Sequence, residues 1–62
     1  MKEEIKIGMI LKNIHGVVGI QDAIAIVVEK QDYGFYVIRH LSDGNQHRSH
    51  ERQLRRFWEV VA

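Results

Sequence analysis

Short apolar runs, separated by glycines and polar breaks, divide this chain into segments of strand length. Residues 6–13 place Met9-Ile10-Leu11 between lysines and read as a first strand, with Asn13–Gly16 as a turn. Gly16-Val17-Val18-Gly19-Ile20 is apolar but broken by glycine, the pattern of a bent strand or of a loop passing close to the body. Ala23–Glu29 (AIAIVVE) has the β-branched density of a central strand, although its alanine spacing also admits a short helix. A loop at Gln31–Gly34 leads into a strand at Phe35–Leu41. Ser42-Asp43-Gly44-Asn45 is then a turn, because glycine accepts positive φ and aspartate bonds its own backbone. After a polar strand, His50–Arg56 carries one leucine among charges. It is too short to hold as a helix alone and reads as a single 3₁₀ or α turn that tucks Leu54 beneath the sheet. Phe57–Val61 closes the chain as a last strand. The expected fold is all-β: a small barrel of five strands, with one helical turn before the fifth.

Composition narrows what such a barrel can be. The chain has 62 residues and no cysteine, so neither a disulfide framework nor a thiolate metal site is available. A chain of this size is expected to form one domain over residues 1–62, near the lower limit for an unstapled core. Ile5, Ile7, Met9, Ile10, Leu11, Val17, Val18 and Ile20 exceed what one face of a small barrel hides, which points to a homo-oligomer. The start, MKEEIKIG, has acids where a secretory signal needs a basic stretch, and the longest apolar run, Ala23–Val28, is far shorter than a membrane span. The expectation is a complete cytoplasmic protein with no membrane partner. Net charge is only +1, but it is unevenly spread: residues 1–32 sum to −1 and residues 33–62 to +2, and every arginine lies in the second half. A clustered arginine face attracts phosphate whatever the total charge.

Tyr36-Val37-Ile38-Arg39, Leu41, Asp43-Gly44, Glu51 and Leu54 resemble the second half of SH3-like barrels of the Tudor, Agenet and KOW type. In those domains a strand of alternating apolar residues enters an Asp-Gly turn, and a polar strand, a one-turn helix with a leucine and a closing strand follow. The resemblance covers about residues 24–61. It departs in the first half, where Met9-Ile10-Leu11 is apolar and many such barrels have a basic, polar first strand. It implies an SH3-like barrel and, from the Tudor type, an aromatic cage that holds methylated side chains by cation–π attraction. Tyr33, Phe35 and Tyr36 sit at the loop-to-strand junction where such a cage would form, with Phe57 and Trp58 as further walls. Packing competes for these rings, because so small a chain needs most of its five aromatics in its core.

Arg48, Arg52, Arg55 and Arg56, interleaved with Tyr36, His50 and Trp58, make a second candidate surface. Guanidinium forks match phosphate bidentately and stack on bases, as a single-stranded nucleic acid requires. The competing assignment is a solvated face that keeps an edge strand from pairing with other chains. His47 and His50 are three apart; in a strand they point to opposite faces and share a metal only if the segment is helical, while His40 lies across the Asp-Gly turn. No metal, cofactor or catalytic constellation is expected: Ser42 and Ser49 lack a nucleophile elbow, and Gly16 and Gly19 are not followed by Lys-Ser/Thr. The leading expectation is therefore a non-enzymatic module that binds RNA or DNA. The alternatives are an inhibitor or adaptor, of the sort phages and mobile elements encode, that docks on an acidic protein surface, and an oligomeric mini-enzyme with its site on a shared axis.

Overall fold

The computed structural model describes residues 3–14 and 23–62. Five strands, β1 (Ile10–Asn13), β2 (Ile24–Lys30), β3 (Phe35–His40), β4 (Gln46–His50) and β5 (Trp58–Val60), form one antiparallel sheet in the order β4-β3-β2-β1-β5. A helix, α1 (Glu51–Phe57), lies between β4 and β5. The all-β expectation holds at this level. Gly16–Ile20, read as a bent strand or loop, lies outside the described residues.

Period-2 patterning places the core. Along β2, Ala25 and Val27 are buried while Ile24 and Ile26 are half-buried; along β3, Tyr36 and Ile38 are buried. These side chains cluster with Ile5, Leu11, Ala23, Leu54 and Trp58, and Met9, Phe57 and Val60 pack against the cluster. β5 returns to β1, with Leu11 opposite Val60 and Asn13 opposite Trp58. The last strand is thereby paired with the first. Of the apolar residues expected to be in surplus, Ile5 and Leu11 are in the core, Met9 and Ile10 are half-buried, and Ile7 is exposed. Val17, Val18 and Ile20 lie outside the described residues. Among the described residues no helix is long and apolar enough to cross a membrane.

Three expected boundaries are corrected. β1 starts at Ile10 rather than at residue 6, because Gly8 has φ 93° and the Met9 N–H turns back to the Lys6 carbonyl. The single turn at His50–Arg56 is a seven-residue helix, Glu51–Phe57. It outlasts its weak intrinsic tendency because both ends are capped: the His50 side chain accepts from the Arg52 N–H, and the Trp58 N–H donates to the Leu54 carbonyl. Glu51 in the first turn and Arg55 and Arg56 in the last also match the helix dipole. Phe57 consequently belongs to α1, and β5 is Trp58–Val60 rather than Phe57–Val61.

A candidate nucleic-acid interface at the β2–β3 turn

The link between β2 and β3 is tighter than a loop. Tyr33 (φ 61°, ψ 30°) and Gly34 (φ 79°) are consecutive left-handed residues, closed by the Phe35 N–H on the Asp32 carbonyl. The Gln31 N–H donates to the Phe35 carbonyl at 2.8 Å, so the strands pair up to the turn. This is the handedness of a type I′ hairpin turn, whose first central position ordinarily takes Asn, Asp or Gly. A tyrosine there carries strain of about 1–2 kcal/mol. The residue is 91% exposed, so no burial offsets the strain.

His50 supports the turn from beneath. Its Nε2–H donates to the Tyr33 carbonyl at 3.1 Å while its Nδ1 accepts from the Arg52 N–H at 3.2 Å. Only the neutral Nε2–H tautomer makes both bonds, so one imidazole ties the strained turn to the start of α1. Its ring also meets Phe35 edge-on, with centroids 4.9 Å apart. Gly34 is required both by its φ and by this packing: a Cβ there would lie 3.0 Å from His50 Nε2, whereas one on Gly44, also at positive φ, would meet nothing. In urea denaturation, Gly44→Ala is expected to cost about 1 kcal/mol and Gly34→Ala about 2 kcal/mol or more, since only Gly34 adds displacement of His50 to backbone strain. Equal costs would show that His50 does not brace the turn.

On the outer face, Phe35 begins β3 and Arg48 stands on β4, its guanidinium carbon 4.5 Å from the Phe35 ring centre. Lys30, Gln31, Asp32, Tyr33, Phe35 and Arg48 line an open hollow of about 460 Å³. The strand register puts Arg39 on the same face, diagonal to Arg48, since Val37 pairs with Arg48 and Arg39 with Gln46. The hollow combines two aromatic surfaces with two cations, tempered by the Asp32 carboxylate.

The sequence-based site is redistributed. Tyr36 and Trp58 are 5% and 4% exposed, so neither presents a ring to a partner; both belong to the core. The cage of Tyr33, Phe35 and Tyr36 loses its third wall, and the cation over Phe35 is the chain's own Arg48. The candidate arginines stand on two elements. Arg48 is on the sheet, whereas Arg52, Arg55 and Arg56 are on α1. Arg55 Nη1 donates to the Glu3 carbonyl at 3.0 Å and Nε lies 4.0 Å from Glu51, while Arg56 lies over Phe57. His50 is half-buried, bonded to the Tyr33 carbonyl and the Arg52 N–H. Lys30 and Arg39 were not singled out from the sequence: Lys30 lines the hollow beside Phe35 and Arg48, and the strand register sets Arg39 diagonal to Arg48.

Comparison with known proteins finds no matching family model, no matching curated protein and no matching solved structure. The functional reading rests on the geometry of this chain.

Proposed function

We propose that the chain is a non-enzymatic, SH3-like module that binds single-stranded nucleic acid on the outer face of the β2–β3–β4 sheet. The strand order supports the barrel reading, because a meander of four strands is followed by a short helix and a fifth strand that returns to the first. The observation that carries the functional reading is Tyr33, an aromatic held in solvent on backbone that disfavours it. In the proposed complex, one base stacks on Tyr33 beside the Phe35–Arg48 pair, and Lys30, Arg48 and Arg39 follow the phosphates. Every base has a π-face, so recognition is tolerant of sequence.

The test is fluorescence anisotropy with labelled single-stranded RNA and DNA over a salt series. Binding should weaken as salt rises, and the double variant Lys30→Gln/Arg48→Gln should reduce the slope of log affinity against log salt by about 1.4, near 0.7 per lost contact. The fold should survive, since exposed charges contribute little to stability. A wild-type protein that binds neither RNA nor DNA at low salt would overturn the proposal and leave the acidic protein surface as the partner.

A further inference from the structure

The far end of β3 carries a second arrangement, separate from the Tyr33 hollow. His40 ends β3, His47 stands diagonally opposite on β4, and their Nε2 atoms are 2.8 Å apart. The ring centroids are 5.0 Å apart with planes inclined by 25°, so the two imidazoles meet nearly end to end, one Nε2–H donating to the other's lone pair. His47 is exposed and His40 half-buried, and the Trp58 ring lies 5.8 Å from that of His40.

We propose that His40 and His47 form a two-histidine site for a late first-row divalent metal ion, with copper(II) the preferred occupant. Imidazole nitrogen suits such ions, and affinity for nitrogen sites rises through nickel to copper and falls at zinc. Two metal–nitrogen bonds of about 2.0–2.1 Å at a right angle span about 2.9 Å, close to the separation already present. Square-planar or tetragonal copper(II) and nickel(II) use that angle. Tetrahedral zinc takes a wider separation of about 3.3 Å. Binding needs the two rings to turn about Cβ–Cγ until both lone pairs converge, and the donor ring to shift its proton from Nε2 to Nδ1. No net proton is released from the neutral pair.

His40 and His47 are the two ligands of the proposed site. Among the described residues no group of three or more histidines or carboxylates is placed to hold a metal. The carboxylate of the adjacent turn, Asp43, accepts from the Asn45 N–H at 2.9 Å and from the Asn45 side-chain amide at 3.0 Å. Water or an exogenous ligand therefore completes the coordination. His47 and His50, three apart in sequence, do not meet: β4 is extended, and His50 is engaged under the Tyr33 turn.

Trp58 is the chain's one tryptophan and reports on the site. Copper(II) titrated into the intact protein should quench its fluorescence to saturation at one equivalent, with nickel and zinc binding more weakly. His47→Asn and His40→Asn should each weaken copper binding by at least about tenfold, the low end of what even indirect support of a metal ligand contributes. His50→Asn, which keeps a capping acceptor, should leave it unchanged. Copper should also raise the melting temperature of the wild type and of His50→Asn, but not of the two ligand variants, each checked for folding by circular dichroism. Because His47 is exposed, its variant should fold even if His40→Asn does not. Equal affinity in wild type and His47→Asn, or no saturable binding at millimolar copper, would overturn the site.

Discussion

Leu54→Ala is expected to destabilise the protein by about 2–5 kcal/mol, the range for removing a buried leucine side chain. Leu54 is fully buried and is the buried side chain of α1, with Phe57 packed partly buried against the same cluster. Between Leu41, which is exposed, and Phe57 it is the only apolar residue in the sequence, so the polar strand β4 and the helix after it have one anchor of this kind. A domain of this size is expected near the lower end of the ordinary ~5–15 kcal/mol of stability, so the loss is a large share of the whole. The measurement is thermal and urea denaturation. A loss of 2 kcal/mol corresponds to at least about 8 °C in a chain this short. Arg52→Ala, on the exposed face of the same helix, should stay within about 0.5 kcal/mol. A melting temperature unmoved by Leu54→Ala would mean that α1 is held by its caps and charges rather than by the core.

The leucine was legible in the sequence because isolation among charges leaves only one explanation for an apolar residue. The same logic recovered β2, β3 and the Asp43–Gly44 turn, where local pattern and final structure agree. Boundaries set by capping were not legible. Nothing in HERQLRR indicates that an imidazole caps the helix while supporting a turn 17 residues earlier, because that contact depends on β3 and β4 pairing first. The candidate interface was half legible. Tyr33 and Phe35 stand where the sequence placed an aromatic site, and Arg48 was among the candidate cations. Assigning Tyr36 to that site failed through parity alone: Phe35 and Tyr36 are neighbours in sequence and lie on opposite faces of one strand. A single register shift reverses which of the two is core, and only the pairing of Tyr36 with Ser49 and Lys30 decides it. His40 was placed across the Asp-Gly turn from His47, but their contact, seven residues apart in sequence, depends on the register of the hairpin.

Tyr33→Gly should separate stability from binding, moving them in opposite directions. Glycine adopts the left-handed conformation without penalty, which relieves about 1–2 kcal/mol of strain. It restores about 0.5–1 kcal/mol of conformational entropy to the unfolded chain. The ring is almost wholly in solvent, so little packing is lost. The net expectation is a protein as stable as the wild type, or more stable by up to about 1 kcal/mol. Binding to a single-stranded oligonucleotide should fall by about 1–3 kcal/mol, the worth of one base–aromatic stack. That is about fivefold to 150-fold in affinity. Tyr33→Phe keeps the ring and should bind within a few-fold of wild type. The salt slope should hold in both variants, because Tyr33 carries no charge and neutralises no phosphate. If Tyr33→Gly lost stability and affinity together, the tyrosine would be a structural part of the turn. If affinity were unchanged, bases would not stack at this turn, and binding would have to be sought elsewhere on the sheet.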